Sequence, residues 1–146
     1  VGVCDDAIEM AMEFAYAHKR AGKYLIEHQL IQLSINKMHM LTEALRSFVM
    51  RVAWEHDQGK RSANGVLMVN YSTDVIQKVT KLNMKVHGAS GCMMNARVDK
   101  LVRDAMVWTH LAGDTVLRIK AVTKLNRPNQ VPKGPKEASS TSMAAE

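Results

Sequence analysis

The chain has 146 residues, a net charge of +6, and a composition in which 47% of the residues are hydrophobic but only 5% are aromatic. That length fits one domain, which can bury roughly 70% of the surface of its unfolded chain. No apolar run approaches the length of about 20 residues that a membrane-spanning helix needs. The two cysteines and the scattered histidines show no metal-ligand spacing, and the basic residues are mixed with acidic ones, which argues against a metal site and against a nucleic-acid partner.

The first residues predict a helix that ends at Gly22. Asp5 and Asp6 suit its first turn, where carboxylates meet the positive end of the helix dipole. Acidic residues at this point also argue against a signal peptide, and the missing initiator methionine predicts a processed product or a fragment. One face of this helix is expected to carry Ile8, Met12, Ala15 and Lys19.

The strongest periodic signal runs from about Lys23 to His56, where apolar residues recur at three- and four-residue steps. As one helix this stretch would be about 50 Å long, at about 1.5 Å per residue. Gly59 is a natural stop after it. The inward positions are expected to be Ile31, Ile35, Met38, Thr42, Leu45, Val49 and Val52.

Three further helices are predicted after that stop, over about Arg61–Val86, Ala96–Leu111 and Asp114–Leu125. His87–Asn95 is expected to be a loop with two glycines. All three prolines lie behind residue 127, so the helices before them are free of proline. These segments predict an all-α fold, an up-and-down bundle of four long helices plus a short C-terminal fifth helix in residues 1–125. Residues 126–146 are polar and poor in apolar side chains, and they predict a disordered tail.

Four phrases in a fixed order carry a resemblance to a known family. They are Glu27-His28-Gln29, His87-Gly88-Ala89-Ser90-Gly91, Lys100-Leu101-Val102-Arg103-Asp104-Ala105, and Leu111-Ala112-Gly113-Asp114-Thr115. Together they resemble the C-terminal helical domain of the flavin-dependent acyl-CoA dehydrogenases. The resemblance covers about residues 1–125, and it implies a longer parent protein with an N-terminal helical domain and a middle β-barrel domain. It also implies an oligomer, usually a tetramer, with FAD lying across subunits.

The chemistry implied by the resemblance is α,β-dehydrogenation of an acyl-CoA thioester. A carboxylate removes the α proton, the flavin accepts the β hydrogen as hydride, and a backbone N–H stabilises the thioester oxygen. The resemblance places that N–H on Ala112, next to Gly113 on the substrate side. Many members carry the catalytic Glu at the position of Ala112, whose side chain cannot accept a proton. The resemblance therefore implies that the base comes from a position upstream of Val1 or from a partner chain.

The resemblance also implies a set of cofactor contacts, some of which this sequence changes. The expected cofactor-binding residues are His28, Gln29, Gly88, Gly91 and Thr115. The residues that depart from the family pattern around the cofactor are His18, Ala21, Lys85, Ala89 and Asp114. For this reason FAD binding by the isolated chain is expected to be weak or absent.

Three hypotheses follow for the function. The chain is the C-terminal part of an acyl-CoA dehydrogenase, or a non-catalytic oligomerisation or assembly module of that family, or an unrelated bundle that binds acidic partners. Simpler interpretations accompany the site residues: His28 and Gln29 as polar residues at a helix start, Gly88 and Gly91 as ordinary loop glycines. Arg103 and Asp104 are expected to form a structural ion pair. The expected compartment is the bacterial cytoplasm or the mitochondrial matrix, because two unpaired cysteines indicate a reducing environment.

Overall fold

The computed structural model describes residues 1–60, 63–93, 97–111, 119–120 and 123. Four α-helices account for most of this part of the chain, namely α1 (Gly2–Ala17), α2 (Gln29–Asp57), α3 (Asn64–His87) and α4 (Val98–Leu111). The predicted fifth helix and the predicted tail lie outside the described residues, except for positions 119, 120 and 123. Within the described part, the predicted all-α bundle is confirmed.

Contacts between side chains show that successive helices run in opposite directions. The Arg46 guanidinium of α2 lies 2.7 Å from the Asp5 carboxylate of α1. The rings of Phe48 in α2 and Tyr71 in α3 lie 6.2 Å apart, while further along the same pair of helices Glu55 bonds to Asn64. Helix α3 packs against α1, α2 and α4 and is therefore the central helix of the bundle.

The core lies around α3 and is aliphatic, as the composition predicts. It combines small residues on α1 with branched and unbranched residues on the other helices, so that the helices approach closely. The inward positions predicted for α2 are buried or half-buried. The buried apolar core consists of Cys4, Ala7, Ile8, Ala11, Ala15, Ile35, Met38, Leu45, Val75, Ile76, Val79, Val86, Leu101 and Ala105.

The boundary between α1 and α2 differs from the prediction. Helix α1 ends at Ala17, and the chain then forms a small antiparallel hairpin of strands β1 (Lys19–Arg20) and β2 (Lys23–Tyr24). Ala21 and Gly22 make its turn with positive φ angles of 49° and 80°, which a continuing helix cannot contain. A 3-10 helix over Leu25–Glu27 follows, and α2 starts at Gln29. The helix predicted from Lys23 is therefore six residues too long at its start, and Lys19 is an exposed strand residue rather than a helical one.

The turn between α2 and α3 is held by a buried carboxylate, and we call Glu55–Asn64 the closed end of the bundle. Glu55 is only 6% exposed, and its carboxylate accepts hydrogen bonds from Asn64 Nδ2 at 2.8 and 2.9 Å. It also accepts a 2.8 Å hydrogen bond from Arg51 Nε one turn earlier. These bonds join the last turn of α2 to the first residue of α3, which fixes the angle at which the chain reverses.

The ion pair predicted between Arg103 and Asp104 is wrong. Adjacent residues on a helix point in different directions, whereas residues four apart share a face. Arg103 therefore bonds to Asp99 at 2.9 Å, and Asp104 bonds to Lys100. Both pairs are structural contacts on the surface of α4.

Candidate functional site

Two of the sequence segments that carry the implied cofactor contacts, those of His28 and Gln29 and of Gly88 and Gly91, lie at one end of the bundle. We call this the open end and define it as residues 14–29 and 84–93. It contains the last turn of α1, the hairpin, the start of α2, the last turn of α3 and the 3-10 helix Gly88–Cys92 that follows α3. This 3-10 helix occupies most of the segment predicted as a loop.

His28 joins the start of α2 to the hairpin. Its Nε2 lies 3.0 Å from the backbone carbonyl oxygen of Arg20, and because a carbonyl only accepts, Nε2 carries the proton and donates. In the neutral ring, Nδ1 is then an acceptor, and no hydrogen bond to it forms within the described residues. The side chain is half-buried, at the N-cap of α2. His28 thus holds the hairpin to α2 through one ring nitrogen, and its other ring nitrogen can accept a hydrogen bond from a ligand.

Gln29, the first residue of α2, does not form a hydrogen bond of this kind. Its side chain is exposed and makes no hydrogen bond within the described part of the chain. Its amide can therefore turn toward a ligand without breaking any contact in the bundle. His28 and Gln29 are indeed polar residues at the start of a helix. Each of them also has a side-chain polar atom that makes no hydrogen bond within the described residues.

Gly88 and Gly91 are required for different reasons. Gly88 ends α3 with φ 58° and ψ −134°, a conformation that favours glycine, and a Cβ built there would meet no atom within 4 Å. Gly91 is buried, and a Cβ there would lie 3.1 Å from the carbonyl oxygen of Met84 and 3.1 Å from His87 Cβ. Gly91 is thus required by close packing of the chain on α3 itself, whereas only Gly88 faces open space that a ligand could fill.

A stack of three rings connects α1 to the glycine segment, a feature that the sequence reasoning missed. The Phe14 ring lies 3.9 Å from the His18 ring and 4.2 Å from the His87 ring, measured between centroids. Each imidazole donates its Nδ1–H to a carbonyl one turn earlier, His18 to Phe14 and His87 to Asn83, both at 3.0 Å. The spacing of Phe14 and His18, four residues apart on one helix, was the available signal.

The electrostatics of this stack keep its inner histidine neutral. Burial lowers the pKa of His87, the hydrogen bond to the Asn83 carbonyl opposes this effect, and the neighbouring His18 ring lowers the pKa of His87 further. A groove of about 280 Å³ lies beside the stack, lined by Met10, Glu13, Phe14, Ala17, His18 and His87. The stack therefore presents a mostly apolar ring surface in which the His87 imidazole is neutral.

The hairpin places positive charge at the same end. Lys19, Arg20 and Lys23 are exposed, and none of them forms an ion pair within the described residues. Lys19 Nζ lies 4.4 Å from the centroid of the Tyr24 ring, and Glu27 uses its carboxylate to accept the Tyr24 N–H at 2.7 Å. The three cations are therefore available to a phosphate-bearing ligand.

The residues that depart from the family pattern lie at this end as well. His18 is in the ring stack, and Ala21 has a positive φ of 49° in the hairpin turn. Lys85 and Ala89 are exposed on the last turn of α3 and in the 3-10 helix. Ala112, Gly113, Asp114 and Thr115 lie outside the described residues, so their predicted roles stay predictions.

An exposed apolar row on α2 is a second feature that the sequence reasoning missed. Residues 30, 33, 37, 40, 44, 47, 51 and 54 are all exposed and recur at steps of three and four, which places them on one face of the helix. The apolar members are large and open to solvent, for example Leu33 at 62% and Met40 at 61% exposure. We call this face the α2 row. The three- and four-residue spacing of this row is visible in the sequence. The apolar spacing of the buried face of the same helix is more regular, however, and it hides the exposed row.

Two features are absent from the described part of the chain. No group of three potential metal ligands lies close together there. None of the helices in that part is long and apolar enough to cross a membrane.

Comparisons with known proteins match the chain to one family. The model of the acyl-CoA dehydrogenase C-terminal domain matches residues 1–124. Cyclohexane-1-carbonyl-CoA dehydrogenase of Geobacter metallireducens is 30% identical over 106 residues, covering 72% of this chain and 28% of the relative. The caffeyl-CoA reductase-Etf complex subunit CarC of Acetobacterium woodii is 25% identical over 114 residues, covering 77% of this chain and 30% of the relative.

Solved structures show the same fold. Butyryl-CoA dehydrogenase from Megasphaera elsdenii superimposes with a TM-score of 0.79 at 24% identity, covering 84% of this chain and 32% of that structure. The chain thus spans less than a third of the length of these relatives. Since the matched residues include all four helices and both segments of the open end, the chain belongs to the acyl-CoA dehydrogenase family and corresponds to its C-terminal helical domain.

Proposed function

We propose that this chain is the C-terminal part of an FAD-dependent acyl-CoA dehydrogenase, and that its open end borders the flavin. The observation that carries this proposal is that His28, Gln29 and Gly88 all lie at the open end of the bundle, where each retains an unused polar atom or open space. The family generally uses FAD, binds acyl-CoA and forms oligomers.

The residues of the open end fit such a cofactor. Lys19, Arg20 and Lys23 supply unpaired positive charge suited to a pyrophosphate. Gly88 leaves room for close approach of a flat group, since nothing lies within 4 Å of its missing side chain. His28 offers Nδ1 as an acceptor at the edge of a ring system. When bound, the flavin supplies the hydride acceptor for the β hydrogen.

The proton acceptor is proposed to come from outside this chain. Removing the α proton needs a carboxylate or another base, and alanine at position 112 offers only a backbone N–H. We propose that this N–H stabilises the thioester oxygen beside Gly113, while the base is contributed from residues before Val1 or by a partner chain. The parent protein would then be active although the isolated chain is not.

The test uses the longer protein that contains this sequence. Purified parent protein is expected to retain visible flavin absorbance and to reduce a dye acceptor with an acyl-CoA. His28→Ala and Gly88→Val are expected to lower flavin retention at least about tenfold each, the loss that a removed hydrogen bond or a filled cofactor surface commonly causes. His39→Ala, on an exposed position of α2 away from the open end, is the matched control. Full flavin content in both variants would contradict the proposal.

The α2 row favours a second candidate, a non-catalytic oligomerisation or assembly module. A single exposed leucine needs no explanation, but a helical face with Leu30, Leu33, Met40 and Trp54 each at least 50% exposed does. Burial of such a face against another chain would contribute roughly 25 cal/mol per Å² of apolar surface removed from water. The departures at Lys85 and Ala89 are consistent with a bundle that assembles without holding a cofactor.

Mass in solution tests the α2 row as an interface, and the flavin content of the parent protein separates the two candidates. Leu33→Glu with Met40→Glu is expected to convert an oligomer of the chain into monomers, because it places two charges within a buried interface. Lys78→Glu, an exposed change on α3, is the control for added negative charge. A parent protein that assembles but holds no flavin supports the module, whereas flavin retention by the parent protein and its reduction by an acyl-CoA would refute it.

A further inference from the structure

An acidic groove between α1 and α2 has no role in the proposed function. It has a volume of about 640 Å³ and is lined by the exposed side of α1 and by two residues of α2. We call it the α1–α2 groove. Its acidic lining residues, which form its rim, are Asp5, Glu9, Glu13 and Glu43.

The rim of the groove carries more negative than positive charge. Arg46 contacts two of the four acids, at 2.7 Å from Asp5 and 3.0 Å from Glu43. Glu9 and Glu13 are exposed and form no ion pair within the described residues. The four carboxylates therefore share one guanidinium, and the rim attracts a further cation.

The α2 row borders this groove and has the opposite charge. Glu43 of the rim follows Met40 of the row by three residues, and such residues are neighbours on a helix surface. The row contains Lys37 and Arg51 and no acidic residue. Arg51 is bonded to Glu55 at 2.8 Å, whereas Lys37 is exposed and forms no ion pair in the described part of the chain. The chain thus carries an acidic surface and a basic apolar surface side by side.

A second copy of the chain can cover both surfaces. When the partner's α2 lies antiparallel on α2 about a two-fold axis near position 42, residues at equal distances from that position meet. Leu30 then packs on the partner's Trp54, and Met40 packs on the partner's Ala44, a small residue that allows close approach. A large apolar side chain therefore faces an apolar one at both places.

The same arrangement brings the partner's Lys37 toward the rim. The contact of Arg46 with Asp5 sets the alignment of α1 on α2, so Glu9, one turn after Asp5, lies at about the level of position 42. The partner's Lys37 lies opposite Ser47, about 8 Å further along α2 at about 1.5 Å per residue. The flexible four-carbon stem of lysine can span most of this offset, and the glutamate side chain the rest.

We propose that the α2 row binds the α2 row of a second copy in antiparallel orientation, and that the rim of each α1–α2 groove binds the partner's Lys37. The proposal rests on the α2 row being an interface, as in the second candidate function, and it adds the charges that orient the two chains. Exposed ion pairs contribute little affinity, so the apolar row supplies the affinity and the charges select the orientation. In a parallel pair, Lys37 would instead lie beside its own copy.

The test measures the mass of the parent protein in solution over a range of concentrations. Lys37→Glu places an acid against the acidic rim, and Glu9→Lys with Glu13→Lys places cations against Lys37. Each variant alone is expected to raise the dissociation constant of the pair at least about tenfold, because a two-fold pair contains the altered contact twice. An equimolar mixture of the two variants has opposite charges at both contacts and should return the constant to within about threefold of the unsubstituted value.

The matched controls change the net charge equally at exposed positions outside the groove and the row. Lys78→Glu matches the row variant, and Asp57→Lys with Asp74→Lys matches the groove variant. Both should leave the dissociation constant unchanged. Equal increases in the controls would show an effect of net charge alone and would overturn the proposal.

Three other outcomes would also overturn it. A mixture that does not recover excludes the pairing of the rim with Lys37. Unchanged constants in both variants exclude the groove from the interface, and the α2 row stays an interface in that case if Leu33→Glu with Met40→Glu still yields monomers. A groove variant that keeps its mass but unfolds at lower urea concentration indicates that another part of the parent protein covers the groove. Flavin content plays no part in this readout, so a failure here is distinct from a failure of the proposed flavin site.

Discussion

At the closed end of the bundle, a buried carboxylate joins two helices. At the open end, ring contacts join α1 to α3, and glycine conformations allow the chain to turn. Glu55 is 6% exposed and bonds to both Asn64 and Arg51. The open end has no buried carboxylate within the described residues, and it retains unpaired cations, a groove and an accessible glycine. The contrast indicates that the contacts at the closed end mainly stabilise the bundle. The open end has fewer paired polar groups and more surface that a ligand can contact.

The largest expected effect tests the closed end. Glu55→Ala removes the buried acceptor of the hydrogen bonds from Arg51 and Asn64, so the free energy of unfolding is expected to fall by about 3 kcal/mol. Urea unfolding followed by circular dichroism measures it. Glu43→Ala, at an exposed ion pair, should cost less than about 1 kcal/mol. Equal losses in the two variants would show that the buried carboxylate of Glu55 stabilises the bundle no more than the exposed one of Glu43.

A smaller effect is expected from Gly91→Ala at the open end. The added Cβ would lie 3.1 Å from a backbone oxygen, and because backbone cannot rotate away as a side chain can, the last turn of α3 must shift. Overpacking of this kind costs about 2 kcal/mol. Gly2→Ala, whose Cβ would meet nothing within 4 Å, should leave the urea midpoint close to that of the unsubstituted chain.

Gly88→Ala is expected to cost about 1 kcal/mol, for a conformational reason rather than a packing one. Its φ of 58° disfavours any L side chain, but a Cβ there would touch nothing. Gly88→Ser should therefore cost the same as Gly88→Ala in urea unfolding. A serine penalty well above the alanine penalty would show that the space over Gly88 is not open.

The smallest effect concerns pH. Burial lowers the pKa of His87 below the value of 6.5 that it has when unfolded, so the unfolded chain binds the proton more readily. The contribution of His87 to stability is thus fully present above about pH 6.5 and is lost as the pH falls from there toward the lowered pKa. His87→Leu should flatten the decline of the urea midpoint over this range, and His56→Gln, on an exposed residue of α2, should not. A decline that is unchanged in His87→Leu would rule out this residue as its source.

Much of the bundle could be predicted because helix faces depend on local periodicity. The inward faces of α2 and α3 and the end of α2 near Gly59 follow from apolar spacing and from one glycine. The hairpin could not be predicted in this way. It depends on Ala21 adopting a positive φ, which alanine rarely does, and on Glu27 accepting the N–H of Tyr24 three residues earlier. Both features are local, but apolar periodicity carries no signal for either.

Only the residues of the candidate site that belong to a sequence motif could be predicted. The positions of His28 and Gly88 at one end follow once the helices alternate in direction. The structural roles of His28 toward Arg20 and of Gly91 toward Met84 needed coordinates, because they join residues to backbone atoms rather than to motif partners. The ring stack of Phe14 with His87 joins residues 73 positions apart, a distance over which a single sequence carries no signal.

The central position of α3 has a consequence for the order in which the chain can fold. Helices α1 and α2 both find their main partner in a segment that leaves the ribosome after them, since α3 comprises Asn64–His87. Neither can bury its apolar face fully until that segment has emerged, so the three helices should form as one cooperative unit. In hydrogen exchange, the amides of Val75, Val79 and Val86 should be the last to be replaced, and they should report the free energy of unfolding of the whole bundle.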